Sequence, residues 1–155
     1  MREVIKGKVH RVYKPVNDDE FLDQVSFIVF IIGFNYAVVR QRWPEISRAF
    51  KNFSVSRVAA MDAEKLLDAK GMIRNRRKIA AVIENAKLCL ALQKQHGSVL
   101  KWVAKLKTSY EKDPLLSPSL KEEFQRFRGI GKTTSGWLDS IHMAKGKYLE
   151  FEWEK

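Results

Sequence analysis

Apolar residues recur at helical spacing along almost the whole chain, and this pattern restricts the fold more than any other feature. The clearest stripe, in segment 75–95, consists of Ile79, Val82, Ile83, Ala86 and Leu90. Residues spaced in this way lie on one face of an α-helix. Strand-like alternation is absent except in the final segment KYLEFEW. The sequence therefore predicts an all-α fold, and its 155 residues fit a single domain over 1–155.

Short polar residues mark where several of these helices begin and end. Two pairs, each with a glutamate three positions after a small polar residue, predict helix starts: Asn17 with Glu20, and Ser119 with Glu122. Gly33 interrupts the first of these helices after about residue 32, and a second helix is expected from Tyr36 to Phe50. Further helices are expected at 55–60, 63–69 and 75–95.

The run 25–39, VSFIVFIIGFNYAVV, is the one segment that resembles a membrane span. It is shorter than the roughly 20 residues that a bilayer requires. Gly33 and Asn35 also interrupt it. We therefore expect a helix that is buried on all sides within the protein, and no membrane partner.

The charge balance and the cysteine and histidine positions bound the function. Lysine and arginine (29) outnumber aspartate and glutamate (18), and the net charge of +11 favours a polyanionic partner. Cys89 is the only cysteine and lies in an apolar helical stretch, so we expect a buried free thiol. The three histidines share no ligand spacing, so we expect no metal site. The opening residues do not resemble a signal peptide, and we expect a cytoplasmic protein.

The stretch 127–138, FRGIGKTTSGWL, is the strongest candidate for a binding motif. Its first two glycines can adopt backbone angles closed to other residues and let main-chain N–H groups approach a partner closely. A helix that starts near Lys132 presents unpaired N–H groups and the positive end of its dipole to a phosphate. The residues predicted to bind nucleic-acid phosphates are Gly129, Ile130, Gly131, Lys132, Thr133 and Thr134. The alternative is an ordinary glycine-closed connection between two helices.

The spacing of this stretch resembles the helix-hairpin-helix motif of DNA repair proteins, roughly Leu-Pro-Gly-Val-Gly-x-x-Thr-Ala. Arg128 stands where that motif has proline, and Ser135 stands where it has alanine. With its flanking helices the motif covers about residues 119–144. The resemblance implies binding of double-stranded DNA through the backbone, without reading of base sequence.

A longer resemblance covers about residues 19–144. The segments FNYAVVRQRWPEISRAF, VAAM and GMIRNRRKIAAVIENAK are similar to bacterial 3-methyladenine DNA glycosylase I, within the helix-hairpin-helix DNA glycosylase superfamily. The resemblance implies a two-lobed helical fold with the active cleft between the lobes. It also implies hydrolysis of the N-glycosidic bond of alkylated purines such as 3-methyladenine, without a cofactor, by a protein that we expect to be monomeric.

Departures from that family leave catalysis open. The resemblance places Ile28 where the family has a glutamate of its base pocket, and Tyr36 where it has a stacking tryptophan. The family's cysteine and histidine zinc clamp is missing as well. Tyr36 can stack on a base, but Ile28 cannot hydrogen-bond one. The alternative is therefore a catalytically inactive DNA-binding module on the same fold.

Two further sets of candidates follow from the resemblance. Other branches of the superfamily carry a catalytic aspartate after the second hairpin helix, and a similar spacing reaches Glu152, our candidate catalytic carboxylate. The alternative is a solvated charge on a C-terminal tail. Phe34, Tyr36 and Trp43 surround the break at Gly33 and are candidates for the base pocket or for a wedge that fills the gap left by a flipped base. Core packing is the alternative.

A basic cluster lies at the start of the longest predicted helix, and it consists of Arg74, Arg76, Arg77 and Lys78. Cations at a helix start oppose its dipole unless a phosphate or a carboxylate compensates them. The cluster therefore indicates either DNA contact or a solvated face.

Overall fold

Eight α-helices account for most of residues 3–6, 14–143 and 149–152, which the computed structural model describes. They are α1 (Asp18–Ile31), α2 (Tyr36–Ala49), α3 (Val55–Ala59), α4 (Ala63–Leu66), α5 (Arg76–His96), α6 (Val99–Lys112), α7 (Leu120–Phe124) and α8 (Lys132–Met143). A 3-10 turn, Lys51–Phe53, lies between α2 and α3. Two short strands, β1 (Glu3–Lys6) and β2 (Leu149–Glu152), pair in parallel. The predicted all-α class is confirmed, and β2 lies in the segment with alternating residues, whereas β1 was not predicted.

Helix α1 is buried on nearly all sides, as predicted. The side chain of Asn17 accepts a hydrogen bond from the amide of Glu20 (2.9 Å) and satisfies one of the unpaired donors at the helix start. The fully buried apolar side chains along the helix are Phe21, Leu22, Val25, Phe27, Ile28 and Phe30. Burial of each such side chain stabilises the fold by about 1.5–3 kcal/mol. Within the described ranges, no helix is long and apolar enough to span a membrane.

The acidic first turn of α1 joins it to the starts of two other helices. The carboxylate of Asp18 accepts hydrogen bonds from the amides of Val99 (2.9 Å) and Leu100 (3.2 Å) at the start of α6. The carboxylate of Asp19 accepts one from the amide of Val55 (2.9 Å) at the start of α3. A carboxylate is favourable there because a helix start carries unpaired N–H groups and positive partial charge. These two carboxylates therefore have a structural role, because they join α1 to α6 and to α3.

The helices form two groups that meet at α1 and α5. One group consists of α2, α3, α4 and the 3-10 turn, each of which contacts α1, α5 or both. The other begins with α6, which contacts both α1 and α5, and continues through α7 to α8. Two cavities border this scaffold: one between the α1–α2 break and the start of α8, and the other between the first half of α5 and the connection between α7 and α8.

The predicted helix boundaries hold to within a few residues. Helix α5 begins at Arg76, and the side chain of Asn75 accepts the amide of Lys78 (3.1 Å). Helix α4 ends at Leu66, earlier than the predicted Ala69. The amide of Ala69 donates to the carbonyl of Leu66 (3.1 Å). This bond closes a turn and does not continue the α-helix.

Candidate functional site

The connection between α7 and α8 is a tight turn seated on α1. Gly129 has a φ of +82°, and a β-carbon at this position would lie 3.2 Å from Cγ2 of Val29. The side chain of Ile130, which lies between the two glycines, is buried in the core. The fold therefore needs glycine at position 129, because any other residue would be strained and would press on α1.

A buried amide on α5 holds the same turn. Asn85 is only 1% exposed. Its Oδ1 accepts a hydrogen bond from the amide of Arg128 (2.6 Å), and its Nδ2 donates to the carbonyl of Arg128 (3.0 Å). A proline at position 128 has no N–H and could not make the first of these bonds. The pairing gives a physical reason for a residue other than proline at this position, because it requires a backbone N–H.

The start of α8 presents donors beside this turn. The amide of Gly131 donates to Oγ1 of Thr134 (2.9 Å), and the amide of Ser135 donates to the carbonyl of Gly131 (2.9 Å). The amides of Lys132, Thr133 and Thr134 are in the first helical turn, where no preceding carbonyl of the helix can accept them. Lys132 and Thr133 are exposed, whereas Thr134 is buried and its hydroxyl is engaged in the turn. Their predicted contact with DNA stays a prediction.

A cavity of about 730 Å³, which we call the aromatic cavity, lies between the α1–α2 break and the first two turns of α8. Three of the side chains that line it are aromatic: Phe34, Tyr36 and Trp137. Thr133 and Thr134 line it from the hairpin side. Phe34 is 43% exposed, while Tyr36 and Trp137 are half-buried. The volume and the aromatic walls suit a small planar ligand.

Tyr36, whose stacking on a base stays a prediction, lies in the wall of the aromatic cavity. Its ring lies edge-on to Phe27, with centroids 5.9 Å apart. Burial raises the pKa of the Tyr36 phenol, and Arg40 opposes that shift only in part. The phenol therefore stays protonated at neutral pH and keeps its capacity to donate a hydrogen bond.

Trp43 does not line the cavity, and the prediction that placed it in the base pocket or wedge is corrected to core packing. It is 2% exposed, and its indole Nε1 donates to Oδ1 of Asp23 (2.8 Å). Its ring is stacked on Phe53 with centroids 5.3 Å apart and lies edge-on to Phe27 at 4.9 Å. Sequence reasoning missed Trp137 instead. The available signal was its position four residues after Thr133, which puts both on one face of α8.

Among the described residues, no carboxylate lines the aromatic cavity. Ile28 is fully buried in the core. The backbone of Glu152 ends β2 and is paired with Lys6 of β1. The Glu152 side chain lies outside the described part of the chain, and its catalytic role stays a prediction.

A second cavity, of about 630 Å³, lies between the start of α5 and the hairpin turn. Its polar rim contains Arg77, Lys78, Arg128 and Glu84. Its apolar lining includes Val29 and Ile32, and Ile32 borders the aromatic cavity too. We refer to this second cavity as the basic groove.

The four cations of the predicted basic cluster have different surroundings. Arg74 pairs with Asp68 (3.1 Å), and Arg76 pairs with Glu64 (2.7 Å). Both pairs are exposed, and such pairs contribute little stability. Arg77 is exposed at the rim of the basic groove. The four cations therefore do not share one environment, and their contact with DNA stays a prediction.

Lys78 is turned toward the end of α1. Its Nζ donates to the carbonyls of Phe30 and Ile32, both at 2.6 Å, and lies 5.5 Å from the ring centroid of Phe34. Burial lowers the pKa of this ammonium. Lys78 thus contacts the backbone before the α1–α2 break and the aromatic side chain after it.

Comparisons with known proteins agree with this architecture. A crystal structure of 3-methyladenine DNA glycosylase I is similar over 88% of this chain and 85% of that chain, with 21% identity and a TM-score of 0.68. The corresponding enzyme from Staphylococcus aureus is similar over 91% and 85%, with 15% identity and a TM-score of 0.69. A solution structure of 3-methyladenine DNA glycosylase I is similar over 86% and 80%, with 22% identity and a TM-score of 0.59. These likenesses establish the shared fold.

The sequence match is more specific than the likeness of fold. The family model for methyladenine glycosylase matches residues 13–127, well over half of the chain. This match confirms the resemblance carried by segment 34–87. It also includes the aromatic residues of the α1–α2 break, while the turn at 128–131 follows it. The chain belongs to the methyladenine glycosylase family.

Proposed function

We propose that the protein is a DNA repair glycosylase, which binds duplex DNA through the α7–α8 hairpin and hydrolyses the N-glycosidic bond of alkylated purines such as 3-methyladenine. One observation carries the proposal. Thr133 and Thr134 belong both to the first turn of α8, where a phosphate can bind, and to the wall of the aromatic cavity. A nucleotide whose phosphate lies at this helix start therefore has its base within reach of the cavity.

Phosphate binding uses the helix start and nearby cations. The unpaired amides at 132–134 and the Lys132 ammonium favour an anion at this end of α8. Arg77 and Arg128 at the rim of the basic groove extend the positive surface beyond the turn. These contacts neutralise backbone charge and do not distinguish bases, so the affinity should fall steeply with salt concentration.

The aromatic walls favour a flipped base that carries positive charge. Phe34, Tyr36 and Trp137 offer ring faces and edges to a planar ligand, and a cation is attracted to a ring face. Adenine methylated at N3 in DNA is such a cationic base. Phe34, the most exposed of the three, is also the proposed wedge, which would fill the gap in the DNA stack.

The leaving group supplies much of the driving force in this scheme. When the N-glycosidic bond of a cationic purine breaks, its electron pair enters the ring and the base departs neutral. Water then adds at C1′ of the sugar and loses a proton. A neutral base instead leaves as an anion unless an acid protonates it, and the aromatic cavity has no carboxylate among its described lining residues. We therefore propose that activity is confined to alkylated, cationic purines.

The second candidate function is a catalytically inactive DNA-binding module. Its support is the fully buried Ile28 and the absence of a carboxylate among the described residues that line the aromatic cavity. In this case the hairpin would bind duplex DNA and the cavity would hold a base without releasing it.

A base-release assay separates these functions. Methylated duplex DNA and duplexes that contain uracil or hypoxanthine are incubated with the wild type and with Glu152→Gln. Release of 3-methyladenine without release of uracil supports the proposal. Efficient excision of uracil contradicts the leaving-group argument, and full activity of Glu152→Gln removes that carboxylate from the mechanism. Duplex binding without release from any substrate favours the inactive module.

The contribution of the hairpin to DNA binding is measured by replacing Lys132 with methionine. The slope of log affinity against log salt concentration should become less steep by about 0.9 for each DNA phosphate that the variant no longer neutralises. Lys94→Met is the control, because Lys94 is exposed in the last turn of α5, away from the turn that Asn85 holds. Equal slopes for Lys132→Met and the wild type would remove Lys132 from the DNA contact.

A further inference from the structure

We propose that Lys78 is a positioning residue, which fixes the α1–α2 break so that Phe34 is held ready to enter the DNA stack. The inference rests on the proposed function, because it assigns to Phe34 the role of the wedge. This role distinguishes Lys78 from the neighbouring cations of the basic cluster. From sequence position alone, all of these cations would be assigned the same role.

The end of α1 needs a cation that its own sequence does not provide. The last turn of α1 contains no basic residue. Carbonyls at a helix end lack intrahelical donors and carry negative partial charge. The ammonium of Lys78, distant in sequence, donates to two of these carbonyls, those of Phe30 and Ile32. Lys78 therefore closes a helix end that would otherwise rely on solvent.

The same ammonium borders the residues that direct Phe34. Gly33 has a φ of +66°, and the amide of Phe34 donates to the carbonyl of Ile31 (3.2 Å). This turn projects Phe34 with 43% of its surface exposed. The Lys78 ammonium lies 5.5 Å from the ring centroid, within the range of a cation–π contact. One side chain thus fixes both the backbone of the turn and the ring that the turn presents.

The surroundings of Lys78 make a phosphate contact unsuitable as its main role. Two of its three donors are directed to carbonyl oxygens, and the side chain is half-buried. The adjacent Arg77 is exposed at the same groove. A DNA phosphate would meet Arg77 first, whereas transfer of the Lys78 ammonium to a phosphate would break the bonds that hold the α1–α2 break.

The test measures base unstacking and salt dependence separately. Duplex DNA carries 2-aminopurine beside an abasic-site analogue, and its fluorescence rises when a side chain inserts and separates the bases. Lys78→Met should shift the unstacking equilibrium roughly tenfold toward the stacked state, the order of one charge-assisted hydrogen bond. The salt slope of duplex affinity should stay at the wild-type value. In the matched control, Arg77→Met, the salt slope should become less steep by about 0.9 while bound DNA still shows the fluorescence rise.

A double-mutant cycle identifies the route of the effect. If Lys78 acts through Phe34, Lys78→Met should have no further effect on unstacking in a Phe34→Ala background. Independent, additive losses would overturn the inference, as would a shallower salt slope in Lys78→Met. Lys78→Gln, which retains an N–H donor without the charge, should lie between wild type and Lys78→Met, and it carries the same test if Lys78→Met does not fold.

Failure of this inference is distinguishable from failure of the proposed function. The fluorescence and salt measurements require DNA binding but no bond cleavage. A normal fluorescence rise without base release contradicts the proposed hydrolysis and leaves the role of Lys78 standing. Binding without any fluorescence rise in the wild type overturns both the wedge and the positioning role.

Discussion

The side-chain amide of Asn85 and the backbone of Arg128 form a reciprocal pair of hydrogen bonds, 2.6 Å and 3.0 Å long, between α5 and the hairpin turn. The helix that begins with the basic cluster is therefore joined directly to the turn that is proposed to bind phosphate. Because Asn85 is buried, these bonds are shielded from water and loss of either partner is costly. The pair sets the position of the turn relative to both cavities.

Asn85→Leu should destabilise the protein by roughly 1–3 kcal/mol, because it leaves the amide and the carbonyl of Arg128 without their partner. Arg128→Pro should also destabilise it, whereas Arg128→Ala keeps the backbone bonds and should lower only DNA affinity and its salt dependence. Urea unfolding measures the stabilities. Gln95→Leu, an exposed substitution on the same helix, is the control and should change stability by no more than about 0.5 kcal/mol. A fully stable Arg128→Pro variant would contradict the structural role of the pair.

The two glycines of the turn should respond differently to alanine. Gly129→Ala should cost about 1–2 kcal/mol of stability, because it forces a left-handed conformation and brings a β-carbon close to Val29. Gly131 has no positive φ, and a β-carbon there would meet nothing within 4 Å. Gly131→Ala should therefore retain stability and weaken duplex binding by keeping the phosphate from the helix start. Thermal unfolding and fluorescence anisotropy with labelled duplex check the two effects. Unchanged binding by a folded Gly131→Asp variant would support the ordinary helix connection.

Much of the helical scaffold follows from the sequence because its signals are local. Asn17 and Ser119 each cap the helix that their spacing from a glutamate predicts. The side-chain environments depend on contacts between distant segments, and local patterns do not encode them. Trp43 and Tyr36 both flank the same break, yet the stack on Phe53 places Trp43 in the core. The hairpin turn was recognised from its glycines, but Asn85, its partner on α5, was not.

The basic cluster shows the same limit of local reasoning. Cations at the start of α5 oppose the helix dipole unless negative charge compensates them. Carboxylates provide it for Arg74 and Arg76, and the end of α1 provides it for Lys78. Which partner each cation receives depends on the packing of α4 and α1 against α5, so the sequence alone could not separate these roles.

His142 should make stability fall in mildly acidic solution. It is buried against Gln24, with His142 Nε2 3.1 Å from Gln24 Oε1, and its carbonyl accepts a bond from Lys107. Burial, with smaller contributions from Lys107 and Lys14, lowers the pKa of His142 from 6.5 to about 3. The unfolded chain therefore takes up a proton as the pH falls below 6.5, while the folded protein does not until the pH approaches 3. The stability that the neutral histidine contributes is present above pH 6.5 and is lost between these values.

Urea unfolding at several pH values tests this effect. Between pH 6 and 4, the histidine should contribute a fall in the free energy of unfolding that approaches about 1.4 kcal/mol per pH unit. His142→Gln removes the titrating group and should flatten the profile by that amount, although its stability at pH 7 will be lower. A profile as steep in His142→Gln as in the wild type would assign the acid sensitivity to other groups.

Trp137→Ala should reduce release of cationic purines while duplex affinity is retained, because Trp137 lines the aromatic cavity from a helix whose phosphate donors are unchanged. Stacking of one base on an aromatic side chain is worth about 1–3 kcal/mol, so kcat/KM should fall roughly tenfold or more. Trp137→Phe keeps a ring and should recover much of the loss. Tyr110→Ala, which removes an exposed aromatic residue on α6, is the control and should release bases as the wild type does. The contrary result is that Trp137→Ala lowers affinity for undamaged duplex by the same factor as base release. That result would show that Trp137 contributes to general DNA binding and not to recognition of the base.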